Sequence, residues 1–210
     1  MSLTPFFRVA PFALFIALLA LPHGPWITAL RGVAVAALLF VFRRRYTELS
    51  LAKAVPARDW LLAIGVGFAV FFAWIHLDRG WMSSGSGPGF DPTRPDGSVD
   101  WTLAGLRLFG LALVVPVMEE LFWRSFILRW IDARDFLDFD VKRASWRAFA
   151  ISSALFASEH SLWLAGLVAG LGYSWVYMRS GNLWMPIVSH AITNGTLGIW
   201  ILATGNWRFW

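Results

Sequence analysis

Residues 111–130 read LALVVPVMEELFWRSFILRW, a stretch apolar enough to cross a membrane that still carries Glu119, Glu120 and Arg124 near its centre. A charged side chain in the middle of a spanning helix costs about 2.5–3.5 kcal/mol on insertion scales, so such residues face a protein interior or a water-filled cavity and act there. Two expectations follow: the fold is built of membrane helices, and a functional site lies around this stretch.

The rest of the chain has the same character. Of 210 residues, 58% are hydrophobic and only 15% charged, with 14 Trp and 18 Phe, a composition that a bilayer selects and a soluble domain of this length does not. Apolar segments fall at 6–21, 25–42, 59–77, 102–130, 147–160, 161–178 and 183–204. The expected fold is therefore all-α, a polytopic transmembrane bundle of six to eight helices forming a single integral membrane domain over 1–210. A full span takes about 20 residues, so the first segment is marginal, and 147–160 with 161–178 read as a tight helical pair or a re-entrant stretch. Arg8 followed by FALFIALLAL resembles a weak secretory signal. The next apolar segment resumes directly after Pro22, His23, Gly24 and Pro25, however, which favours a hairpin turn between two spans.

The absence of cysteine excludes a disulfide framework, a thiolate zinc site and a cysteine nucleophile. The net charge of +5 does not point to nucleic acid, because the basic residues fall between apolar segments rather than along one solvated face. Arg43, Arg44, Arg45, Lys53 and Arg58 lie between the second and third spans, and Arg129, Arg134, Lys142, Arg143 and Arg147 follow the fourth. By the positive-inside rule both loops are cytoplasmic, with the N-terminus on that side. The loop at 78–100, rich in Gly, Pro, Ser and Asp, is then extracytoplasmic, an irregular connector with tryptophans at its edges.

The polar residues inside apolar segments include Glu119, Glu120, Arg124, Glu159, His160, His190 and Asn194. Residues four apart share a helix face, which stacks Glu120 with Arg124, Phe156 with His160, and His190 with Asn194. Glu119 points about 100° away from Glu120, so the two carboxylates have different jobs. Glu120 and Arg124 read as an intrahelical ion pair; Glu119 is left for His160 or His190 from a neighbouring helix, the pairing a general base uses. Glu159 reads as structural or interfacial, and His23 and His76 are assigned to no site.

In order and on successive apolar segments, EELFWR at 119–124, FASEH at 156–160 and HAITN at 190–194 match the patterns Glu-Glu-x-x-x-Arg, Phe-x-x-x-His and His-x-x-x-Asn. The chain thereby resembles the CAAX protease and bacteriocin-processing (CPBP, or Abi) family of intramembrane proteases, over a catalytic core at about 101–200. Its nearest likeness is to the exosortase-associated, CAAX-protease-related branch. The resemblance implies that Glu119 and His160 activate the attacking water, that His190 and Asn194 stabilise the oxyanion, and that Glu120 and Arg124 support the site. It also implies an integral protein of the bacterial inner membrane, a membrane peptide or protein as substrate, and exosortase-system proteins as candidate partners beside the lipid bilayer. No cofactor is favoured. A divalent metal such as zinc would have Glu119, His160, His190 and Asn194 to hold it, but Asn is an unusual zinc ligand and no His-Glu-x-x-His helix is present. The alternative function is a non-catalytic membrane chaperone or scaffold, or a proton-coupled carrier, which would use the same residue types.

Straight perpendicular spans raise one geometric difficulty. Counted from Trp101, Glu119 lies about 27 Å along the fourth helix, near the cytoplasmic side, whereas His160 lies about 20 Å from that side. A tilt of the fourth helix, a deeper start of the fifth, or a kink at Pro116 would bring them together.

Overall fold

The computed structural model describes residues 4–21, 24–50, 54–85 and 89–210; Pro22 and His23 of the expected hairpin turn, and Lys53 of the basic loop, lie outside them. Among the described residues the chain folds into seven helices: α1 (Thr4–Leu19), α2 (Pro25–Phe42), α3 (Ala57–His76), α4 (Trp101–Leu128), α5 (Trp146–Ser158), α6 (Trp163–Ser180) and α7 (Trp184–Thr204). Four segments, Pro25–Arg45, α3, α4 and α7, are long and apolar enough to cross a membrane. Large apolar side chains such as Phe40, Leu61, Phe72, Leu113 and Ile199 stand exposed around the bundle, a surface suited to lipid. Together these features make it an integral membrane protein.

One end of the bundle is fastened by a buried ionic network. Arg8 of α1 donates to Glu48 Oε2 at 2.6 Å and to the Arg45 carbonyl, the Ser125 hydroxyl of α4 donates to the same carboxylate, and Arg129 donates back to Ser125 at 2.6 Å. Burial alone would push the Glu48 carboxyl up, but the Arg8 hydrogen bond and charge and the Ser125 hydroxyl outweigh it and hold Glu48 below its ordinary range. Trp184, opening α7, donates to the Leu49 carbonyl at this end as well. At the opposite end Asp100 caps α4. Its side chain accepts from the N–H groups of Leu103 and Thr102, with Arg94 3.2 Å away, and these contacts draw its carboxyl below the usual range.

Small residues set the helix spacing. A side-chain carbon on Gly170 of α6 would stand 2.8 Å from the Ser153 carbonyl oxygen of α5, and one on Gly67 of α3 2.7 Å from the Ser189 carbonyl oxygen of α7. Ser189 and Thr193 also donate across to the carbonyls of Ala63 and Gly67, both at 2.8 Å, so α7 is held against α3 by its own turn of hydroxyls. His190 and Asn194 follow Ser189 and Thr193 by one residue each and are thereby turned about 100° towards α4.

The loop at 78–100 carries one short turn, Gly80–Met82, and a single Thr93 to Val99 bridge; residues 86–88 lie outside the described ones. Its Phe90 N–H donates to the Trp210 carbonyl, and Arg208 pairs with Asp78, so the C-terminal turn is laid over this loop.

Candidate active site

The geometric difficulty resolves in two ways. Helix α4 has 28 residues, about 42 Å, well over the hydrocarbon thickness of about 30 Å. Counted back from Leu128, Glu119 is only about 14 Å in. α5 has 13 residues, about 20 Å, and stops inside the bundle with His160 just past its end. Two contacts fix the register: Trp123 Nε1 donates to Glu159 at 2.9 Å, and the Ser152 hydroxyl donates to the Trp123 carbonyl.

α4 is not a uniform helix. Gly110–Val114 and Leu121–Leu128 are wound with π-type turns, and the Val115 N–H donates to the Gly110 carbonyl. Continued by one residue, that pattern would satisfy the Leu111 carbonyl from residue 116, which is proline and has no N–H. Asn194 Nδ2 supplies the missing donor, at 2.9 Å from Leu111 O. Pro116 therefore creates the acceptor that orients Asn194.

Glu120 and Arg124 are fully buried, with Nε 3.1 Å from Oε2, an ionic contact without the alignment of a hydrogen bond. The guanidinium lies over the Phe156 ring at 4.2 Å and the Tyr173 ring at 5.4 Å, and its Nη2 reaches the Gly170 carbonyl. The other Glu120 oxygen is 2.9 Å from His190 Nδ1, so the His190 ring donates to Glu120. Tyr173 stacks on the His190 ring at 4.8 Å and is itself held by Thr193. His160 donates from Nδ1 to the Phe156 carbonyl at 2.9 Å, which leaves Nε2 with a free lone pair, and its ring is wedged edge-on against Trp74.

Glu119 is 7% exposed, and its Oε2 has no hydrogen-bond partner among the described residues. It lines a cavity of about 240 Å³ together with Glu159, His160, His190 and Asn194. Of the six residues expected at the site, four thus face one cavity, while Glu120 and Arg124 sit behind His190. His160 also lines a second, more polar cavity of about 520 Å³ formed by the 78–100 loop, Ser161 and the C-terminal turn, so solvent meets it from the loop side. Three charged cavity residues were not assigned to the site from sequence: Glu159, Arg31 and Arg107. Glu159 adjoins His160, which is the signal that would have found it. Arg31 and Arg107 come from α2 and α4 outside the three motifs.

Among the described residues no three His, Asp or Glu side chains group as a metal-ligand set. His190 Nδ1 is committed to Glu120, and the Asn194 amide to Leu111. These contacts leave His160 Nε2, His190 Nε2 and Asn194 Oδ1 uncommitted beside the Glu119 carboxylate, so a metal would draw on those atoms, which the described residues do not present as a preformed set.

A family model described as Type II CAAX prenyl endopeptidase Rce1-like matches residues 101–196, a span that contains all three motifs. No match is found among curated proteins or among solved structures. With each of the three motifs contributing to one cavity, residues 101–196 form a domain of the Rce1-like type II CAAX prenyl endopeptidases, the CPBP family.

Proposed function

We propose that the protein is a glutamate-type endopeptidase that hydrolyses a peptide bond in or near the membrane, with Glu119 and His160 activating water. The observation that carries this reading is the buried, unpartnered Glu119 carboxylate on the wall of the cavity that His160, His190 and Asn194 share. A carboxylate in that position takes a proton from water as the oxygen attacks the substrate carbonyl, and His160 Nε2 is free to accept from the same water. The proton then passes to the departing amine, so the hydrolysis balances without a further reactant.

The tetrahedral oxyanion needs donors. Asn194 has a second amide hydrogen beyond the one given to Leu111. His190 already spends its Nδ1 hydrogen on Glu120, so Nε2 donates only from the protonated ring, whose charge the Glu120 carboxylate balances. Arg124, pinned between two rings, holds Glu120 in place for that task. A bacterial inner-membrane location with the N-terminus cytoplasmic completes the proposal, supported by the basic residues around Arg44 and Lys142.

The test is purified protein with membrane-derived peptides, products read by mass spectrometry. Cleavage by the parent is expected, with Glu119→Gln slower by at least about 10²–10⁴ and unchanged in thermal stability. Near-normal turnover by that variant would remove Glu119 from the mechanism.

A further inference from the structure

Arg31 of α2 is 5% exposed, and its Nε and Nη2 are buried without a hydrogen-bond partner. Nε of Arg107 on α4 is in the same condition. Both residues line the catalytic cavity, and they stand close enough to repel one another. The cause of their approach lies next to them in the chain. Gly32 and Gly110 bring α2 and α4 together so tightly that a side-chain carbon on Gly32 would sit 2.8 Å from the Gly110 Cα. No carboxylate pairs with either guanidinium among the described residues. Arg107 has one aromatic neighbour, the Phe90 ring at 5.7 Å. A buried Arg31 beside a partly buried Arg107 of like charge lacks the compensation that such charges require, and an anion supplies it.

We infer that Arg31 and Arg107 form a subsite for a carboxylate of the peptide substrate, either its C-terminus or an acidic side chain; this rests on the peptidase reading above. The cavity runs from Glu119 and His160 to the two arginines past Leu106, Leu111 and Leu197, walls suited to apolar peptide side chains. Arg107 and Glu119 are twelve residues apart on α4, about 18 Å of rise, which about five residues of extended chain would span. The carboxylate therefore lies about five residues from the bond that is cut. A phospholipid phosphate fits less well. Arg31 stands six residues inside α2, a helix of 18 residues, so it lies about 9 Å below the helix end, deeper than a lipid phosphate sits.

The experiment separates this subsite from the hydrolysis itself by using the full-length Glu119→Gln protein in detergent. Three probes are compared by tryptophan fluorescence and by thermal shift: acetyl-pentaleucine with a free C-terminal carboxylate, its C-terminal amide, and acetyl-tetraleucyl-aspartic acid amide. The two carboxylate probes are expected to bind at least about tenfold tighter than the neutral amide and to raise the melting temperature. Arg31→Gln and Arg107→Gln should each abolish that preference while melting no lower than the parent, since each relieves a repulsion. Equal binding of acid and amide by the parent overturns the subsite whatever the variants do, and so does a preference that survives both substitutions. Stabilisation by phosphatidylglycerol over phosphatidylcholine vesicles with no acid-over-amide preference would assign the pair to lipid and equally overturn it. Because no cleavage is required, a failure of the peptidase reading shows up separately, as an active-site-intact parent that cuts nothing.

Discussion

Asn194 divides its amide between structure and chemistry, one hydrogen going to the Leu111 carbonyl and the other available to the cavity. If the second hydrogen meets the oxyanion, its bond strengthens only in the transition state. Asn194→Ala should then lower kcat by about 10²–10³ with little change in KM, and chelators should leave the parent enzyme unaffected. Steady-state kinetics with and without EDTA check both. Stoichiometric metal lost together with activity in the variant would replace the oxyanion role with ligation. At this scale the sequence was informative about residue type and periodicity: the 100° step between Glu119 and Glu120 is the reason one carboxylate backs His190 while the other faces the cavity. It left open which histidine would take which glutamate, because that depends on how far α5 and α7 are displaced along α4, a tertiary quantity. Arg31 and Arg8 were illegible for the same reason, since an arginine near the end of an apolar segment is usually a surface anchor and here is buried by partners from distant helices.

The elements matter through their lengths and their glycines. Apolar runs located all seven helices to within a few residues, and 147–160 with 161–178 proved to be the tight pair α5 and α6. What hydropathy does not encode is that α5 stops at about 20 Å while α4 continues to about 42 Å, the mismatch that brings His160 onto the cavity that Glu119 lines and opens the polar recess above it. Nor does it reveal that Pro116 leaves the Leu111 carbonyl open inside a π-wound turn; the proline was visible, but its consequence required a partner from α7. The spacing of α5 and α6 depends on Gly166 and Gly170. A side-chain carbon at Gly166 would stand 3.2 Å from the His160 Cβ, and one at Gly170 2.8 Å from a backbone oxygen that cannot swing away. Gly170→Ala should therefore cost about 1–3 kcal/mol of stability, read as a lowered melting temperature in detergent, and should slow turnover by shifting His160 on the wall of the cavity it shares with Glu119. An alanine variant with the parent's melting temperature and activity would mean that α6 yields without moving the site.

Taken as a whole, the bundle has two unlike ends. One gathers the N-terminus of α1, the Arg43–Arg45 turn, the Glu48 network and the 129–145 connection, while the other carries the 78–100 loop, the C-terminal turn and the recess that reaches His160. The basic residues concentrate at the first end, as the positive-inside rule requires of a cytoplasmic face, so water should enter the site from the extracytoplasmic side. Because the chain contains no cysteine, single cysteines introduced at exposed positions report on sidedness without background. Asp96→Cys, in the 78–100 loop, should react with a membrane-impermeant maleimide in cells whose inner membrane is intact, and Asp138→Cys, beyond α4, only after that membrane is opened. The reverse pattern would invert the orientation and put the recess at His160 in contact with the cytoplasm. Equal labelling of both positions before permeabilisation would contradict the placing of the two loops on opposite faces.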